Sequence, residues 1–352
     1  MVVSIDSYLR AAPKAELHLH LEGSVRPRAL LELARRNGVT LPRDTVDSLG
    51  EWFRCEDFSH FIDVYRLICG SLVTADDFEL IAYELATELA RQNCRYAEVG
   101  FTPALHARRG LADATFLDGL DRARQRARRT LGVEIAWVFD IIRATRGGAT
   151  ETMQWAEYTA GVAIDAMTSG VVALGLGGPE HGAPPEPFAP FFERARAAGL
   201  RSFPHAGELD GPASVRGALE TLGADRLAHG VRAIEDAALV EELARRRIGL
   251  DICPTSNVRL GVYQSLARHP LARLHTEGVA VTVNSDDPGV FDTTLNDEVA
   301  TLATSFGLDV HAIDEILLNG VRQSFLSDGR KKELEAAYRA ELDGLKSVHL
   351  RS

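Results

Sequence analysis

What most constrains this chain is an alternation repeated along its length. Short apolar, β-branched runs are each followed by a longer Ala- and Leu-rich stretch with helical spacing. Eight runs are counted, at residues 15–21, 96–101, 133–141, 171–176, 201–205, 226–229, 248–253 and 279–284. Helical spacing fills intervals such as 75–92, 111–130, 188–198, 213–222 and 234–246. Several runs are almost wholly apolar, as expected where helices cover both faces of a parallel strand. Eight such strands with helical crossovers fit a (β/α)8 barrel better than an open sheet. The 352 residues exceed the roughly 250 of a typical barrel, which leaves room for insertions. Segment 25–91 is too long for one crossover helix and is expected to add helices over the barrel mouth. Apolar residues make up 45% of the chain, without a low-complexity tract or a linker, so 1–352 reads as a single barrel domain.

Charge and cysteine usage narrow the function classes. The 50 acidic against 39 basic side chains give a net charge of -11, which disfavours nucleic acid and anionic membranes as partners. No apolar run reaches the roughly 20 residues that span a bilayer, and no signal-peptide core opens the chain. Cys55, Cys69, Cys94 and Cys253 are scattered and read as reduced, buried residues of a cytoplasmic protein.

The chemistry-bearing residues cluster at the C-terminal ends of the expected strands. The first ends His18-Leu19-His20-Leu21-Glu22-Gly23. A period of two puts His18 and His20 on one side, where they form a pre-set pair of metal ligands or simply an alternating polar face. The fifth strand ends His205-Ala206-Gly207-Glu208 and the sixth Ala228-His229-Gly230. The eighth ends Ser285-Asp286-Asp287-Pro288, which is either good turn chemistry or a buried carboxylate pair that needs a cation. Accidental histidines and carboxylates would scatter over both ends of a barrel, whereas these gather at the end where barrel enzymes keep their sites. A set of three imidazoles and one carboxylate suits Zn²⁺, with Fe²⁺, Co²⁺ or Mn²⁺ as substitutes. Such an ion brings the pKa of water toward roughly 7.

The ordered motifs HxHLxG, GxGGPE, HAGE, HG and SDDP, with Cys253-Pro254-Thr255-Ser256-Asn257 after the seventh strand, resemble the adenosine/adenine deaminase family of metal-dependent barrel hydrolases. The likeness runs from about Lys14 to Phe325. It implies that His18, His20, His205 and Asp286 hold one zinc ion per subunit. It further implies that Glu208 donates a proton to purine N1 and that His229 orients the attacking water and accepts its proton. Asp287 would face N7, and the backbone N–H of Gly178 would face N3. The implied reaction is hydrolytic loss of the 6-amino group from an adenine-containing nucleoside, with a small-molecule substrate as the partner.

Two departures from the usual family pattern bear on the substrate. Glu22 stands where adenosine deaminases have Asp at the ribose 5′-hydroxyl, and it is expected to share the side of the two histidines. After strand four the chain reads Gly175-Leu176-Gly177-Gly178-Pro179-Glu180 rather than DLAGDE. Both departures resemble the branch that deaminates 6-amino-6-deoxyfutalosine, an adenosine analogue bulky at its 5′ end, and adenine itself is the alternative. Phe58, Phe61 and Ile62 have helical spacing and are expected either to bury in an ordinary core face or to form an apolar lid over the ribose. His181 reads as a loop residue, and Arg122–Arg129 as a solvated helix face. A two-metal hydrolase would want a bridging lysine at a strand end, and a cytidine-deaminase site a CxxC pair. Neither is evident in the chain.

Overall fold

The computed structural model describes residues 4–54, 58–144 and 147–350, with the backbone alone for residues 58 and 59. Eight strands lie side by side in chain order: β1 (Lys14–His20), β2 (Cys94–Phe101), β3 (Glu134–Ile142), β4 (Val171–Gly177), β5 (Arg201–Ala206), β6 (Arg226–His229), β7 (Gly249–Ile252) and β8 (Ala280–Val283). All neighbouring pairs are parallel. This is the expected (β/α)8 arrangement, and the boundaries read from hydrophobicity hold to within about two residues.

The seam between β8 and β1 is closed differently from the other pairs. One bridge, at Leu19 and Asp286, replaces a full ladder. His20 N–H donates to Asp286 C=O at 2.8 Å, and Asp286 N–H donates to His18 C=O at 3.1 Å. Lower down, the Asn284 carboxamide oxygen accepts from Leu17 N–H at 2.9 Å. The helix Val310–Arg322 packs on both strands, and Asn319 Nδ2 donates to Val281 C=O at 3.1 Å. A Cβ on Gly320 would stand 2.9 Å from Ala15 C=O, so this close approach requires glycine.

The barrel interior is filled in two chemically different zones. Toward the base, Arg226 is fully buried between Glu98 and Asp251, with ion-pair distances of 2.5 Å to each. Its guanidinium also lies 4.4 Å from the ring centre of Phe203 and 4.1 Å from that of Phe325. Phe325 reaches in from the segment after β8, which plugs the bottom of the barrel. Above this layer the interior opens toward the strand ends that carry the histidines.

As expected, the long excursion after β1 adds helices: Pro27–Asn37, Val46–Trp52 and Phe58–Ser71 precede the crossover helix Ala75–Arg91. Thr74 and Asp77 form a capping box at the start of the crossover helix. Asp77 also accepts from Arg36 at 3.1 Å and Asn37 at 2.9 Å, tying the excursion to the barrel wall. Phe58–Ser71 lies against the mouth, where Phe61 stacks on Phe291 with ring centres 5.5 Å apart. Among the described residues no helix is long and apolar enough to cross a membrane.

Replacing Arg226 by Met leaves Glu98 and Asp251 buried without a counter-charge. Such a loss is expected to cost about 3–5 kcal/mol. Urea unfolding of Arg226→Met against the parent measures it, and an unchanged midpoint would show that the triad carries no stability.

Candidate active site

The strand geometry fixes two of the imidazoles before any ligand is considered. His18 Nδ1 lies 3.0 Å from Asp251 C=O, so that nitrogen carries the hydrogen and Nε2 is left as a lone pair pointing inward. It meets His205 Nε2 at 3.2 Å and Asp286 Oδ1 at 3.5 Å. His20 Nε2 is 3.4 Å from the same Asp286 oxygen, and its Nδ1 is 3.5 Å from Asp140 Oδ2. The ligand atoms of His18, His20, His205 and Asp286 all lie within 4.8 Å of one another.

This donor set fits a metal ion. Imidazole lone pairs converging with a carboxylate in a buried space repel or lack partners until a cation sits among them. Burial, reinforced for His205 by the neighbouring imidazoles, pushes His18 down to about 3 and His205 well below the usual histidine range. Both rings are therefore held neutral, as ligands must be. Burial opposes the charge on Asp286, yet the surrounding histidines hold its carboxyl well below the ordinary range. Asp286 Oδ2 also accepts from Ser256 Oγ at 2.5 Å. Asp286 and His229 both adopt left-handed backbone, at φ 64° and 63°, which is strained for residues other than glycine and clusters at functional sites.

Beside the ligand set stand the two expected catalytic groups. His229 Nε2 is 3.5 Å from Glu208 Oε1 and 3.8 Å from Asp286 Oδ2. Burial raises Glu208 well above the usual carboxylate range, and Asp286, Glu180 and Asp287 raise it further. Its carboxyl is thereby poised to carry a proton. Asp287 is likewise raised by burial and by Asp286, and its Oδ1 has no hydrogen-bond partner. A Cβ on Gly23 would fall 1.6 Å from that oxygen, which explains the glycine closing the first motif.

These groups line one side of a cavity of about 640 Å³, within the usual ~300–1,000 Å³ of small-molecule sites. Gly177, Gly178 and Pro179 form part of its wall, with Gly178 at φ 92°. Phe61, Ile62 and Tyr65 line it from the helix Phe58–Ser71. The side chain of Phe58 lies outside the described residues. His181 is solvent-exposed in its loop, 3.4 Å from Asp210.

Glu22 sits differently from the expectation of strand alternation. β1 ends at His20, and residues Glu22–Ser24 form a 3-10 turn that swings the carboxylate under the cavity wall. There it accepts from Thr102 N–H at 3.2 Å and Tyr65 Oη at 3.2 Å, with His106 Nε2 at 3.1 Å. Tyr65, rather than Glu22, faces the cavity.

Two residues of the site were not singled out by the sequence reading. Glu180, the last residue of the fourth-strand motif, is buried and accepts from four successive backbone N–H groups. They are Gly207 at 2.6 Å, Glu208 at 3.0 Å, Leu209 at 2.7 Å and Asp210 at 2.9 Å, and Ser214 Oγ joins them at 2.5 Å. It therefore sets the loop that carries Glu208. Asp140 stands beside His20 in the fold, and a Cβ on Gly175 would lie 1.9 Å from its Oδ1. A carboxylate between Phe139 and Ile141 near the C-terminal end of β3 is the signal the sequence carries.

The profile of the adenosine deaminase family matches residues 13–339. An aminodeoxyfutalosine deaminase from Streptomyces coelicolor is 41% identical over 324 residues, covering 92% of this chain and 82% of that protein. An adenine deaminase from the same organism is 39% identical over 336 residues, covering 95% of this chain and 96% of that protein. Among solved structures, adenine deaminase from Arthrobacter aurescens superposes with a TM-score of 0.88 at 33% identity, over 95% of this chain and 99% of that one. A zinc-bound amidohydrolase from Burkholderia ambifaria superposes with a TM-score of 0.90 at 26% identity, over 99% and 96%.

Glu180→Gln puts an NH₂ group against N–H donors that now meet a carboxylate. Loss of charge-assisted bonds of this kind costs ~1.5–3 kcal/mol each, enough to displace the Glu208 loop. Turnover is expected to fall at least tenfold with metal content unchanged. Measuring kcat together with bound metal checks it, and a variant with parental kcat would show that the loop holds without Glu180.

Proposed function

The chain belongs to the adenosine deaminase family, and from that premise we propose that it hydrolyses the 6-amino group from a 5′-extended adenosine such as 6-amino-6-deoxyfutalosine, with zinc as its metal. The observation that carries the reading is the buried Glu208 carboxyl beside His229, at the edge of a convergent set of groups that could hold a metal ion, in one cavity with Asp287. Hydrolysis of a simple ester needs no acid in that position, whereas an aromatic amidine does.

When bound by His18, His20, His205 and Asp286, zinc supplies the Lewis acidity that makes water a nucleophile at neutral pH. The remaining work falls to the chain. Glu208 donates its proton to N1 of the purine, drawing electrons out of the ring as C6 becomes tetrahedral. Asp287, with its raised carboxyl, donates toward N7, and the Gly178 N–H faces N3. His229 orients the incoming water. Phe61 and its stacking partner Phe291 help close the mouth and exclude bulk water. Glu208, left as a carboxylate, takes up the two protons that the water brings, passes one to the amino group and keeps the other. Ammonia so leaves from C6, and the 6-oxo purine remains.

Support for a 5′ extension comes from the more exposed end of the cavity. Its lining includes half-buried Leu105 and Ile142 and the exposed arginines Arg66 and Arg108. Among the described residues Arg66 pairs with Asp63 at 3.7 Å, and Arg108 is held by Glu151 at 2.7 Å. Free adenine would leave this end empty. The 41% identity to an aminodeoxyfutalosine deaminase points the same way, while the 39% relative keeps adenine as the reading to be excluded.

A spectroscopic panel of adenosine, 2′-deoxyadenosine, adenine, 5′-methylthioadenosine and 6-amino-6-deoxyfutalosine is expected to give the highest kcat/KM for the last. A higher value for adenine would overturn the nucleoside reading. Glu208→Gln is expected to keep one zinc per chain and lose most turnover, while His20→Ala loses both. Chelation should abolish ammonia release and added zinc restore it. Full turnover by metal-free Glu208→Gln protein would sink the mechanism.

A further inference from the structure

Behind His229, on the side away from the metal ligands, lies a chain of buried polar groups that the reaction scheme does not use. His229 Nδ1 is 3.2 Å from Asn257 Nδ2. Asn257 Oδ1 is 3.0 Å from His269 Nε2, and His269 Nδ1 accepts from the Leu271 backbone N–H at 3.2 Å. Asn257 and His269 are both buried, at 0% and 6% exposure, so water does not compete for these contacts.

Only the backbone end of this chain has a hydrogen that cannot move, and it settles all the others. Because Leu271 N–H donates to it, His269 Nδ1 must offer a lone pair, and the ring's one hydrogen sits on Nε2. That hydrogen faces Asn257, whose oxygen must therefore point at His269 and whose NH₂ must point at His229. His229 Nδ1 then accepts, which leaves the hydrogen of its neutral ring on Nε2, facing Glu208 and Asp286. The left-handed backbone of His229 is consistent with a ring held in one orientation by its surroundings.

We propose that Asn257 and His269 are positioning residues that lock His229 as a hydrogen-bond donor toward the reacting water. A ring so locked orients the water through its N–H and has no lone pair there with which to take the water's proton. That proton falls instead to the neighbouring Glu208 once that group has protonated N1. This departs from the acceptor role that the family resemblance implies. The inference rests on the deaminase reading only for what His229 faces, since the tautomer itself can be read without substrate.

Long-range ¹H–¹⁵N correlation spectra of zinc-loaded, ¹⁵N-histidine protein test it directly, with the His229 signals identified by their loss in His229→Asn. The parent is expected to show the Nε2–H pattern; an Nδ1–H pattern overturns the proposal, whatever substrate the enzyme uses. Asn257→Asp swaps the donor for an acceptor at nearly constant shape. It is expected to move His229 to Nδ1–H and to lower kcat by roughly 10²-fold or more, the scale of one proton-handling group, with KM and zinc content unchanged. Parental kcat with the tautomer reversed would overturn the functional part. His269→Gln, which can still donate to Asn257, should retain more turnover than His269→Leu. Equal losses in the two would mean that His269 only fills space. Should Asn257→Asp fail to fold, the parent spectrum and the His269 pair still decide.

Discussion

The barrel closes at its own active site. Where β8 meets β1, the backbone hydrogen bonds joining Asp286 to His18 and His20 are at once the last rung of the barrel and the frame of the proposed metal site. Two imidazoles and the carboxylate that binds with them are thus held by one pair of peptide groups. A shift of β1 by one residue would turn His18 and His20 away from the interior and separate them from Asp286. Closure and ligand convergence are therefore one structural event, and the left-handed conformation of Asp286 is the local strain that accompanies it.

From that seam, polar contacts run in two directions. Downward, His18 donates to the backbone of Asp251, whose side chain pairs with Arg226 and accepts from Thr282 Oγ1 at 2.7 Å. The tautomer of a metal ligand is thus set by a strand anchored in the ionic layer at the barrel base. Outward, backbone and side-chain groups fix the movable parts of the site. Glu180 gathers the N–H groups of the Glu208 loop, and Asn257 with His269 orients His229. Each group proposed to act in catalysis leans on a buried residue behind it, the arrangement by which low-mobility sites are built.

The burial that gives this site its chemistry also accounts for its proton inventory. Excluding water raises Glu208 and Asp287 and lowers His18 and His205, so those acids are disposed to carry protons and those two imidazoles are not. Nearness to Asp286 adds to the rise of both acids. For these four groups one environment yields opposite outcomes for carboxyls and imidazoles, because it disfavours charge. Burial of His20 is instead outweighed by Asp140 and Asp286, which raise it, and the close pair of His20 and Asp286 hold each other charged.

The sequence by itself determined the barrel, since eight apolar runs separated by helical stretches admit few other solutions. It also determined which residues come together at the centre. His18, His20, His205, Glu208, His229, Asp286 and Asp287 all lie at or just beyond the C-terminal end of β1, β5, β6 or β8, and a parallel barrel delivers all strand ends to one face. What it could not determine were contacts that depend on where a strand stops or a loop folds back. Glu22 follows the histidines in a periodic motif, but the chain turns after His20 and carries the carboxylate to Tyr65 and His106 instead. Glu180 and His269 act on residues about 28 and 40 positions away, distances over which local spacing carries no signal. Only the tertiary structure decided these, because a hydrogen bond is set by ångströms and angles that sequence periodicity does not encode.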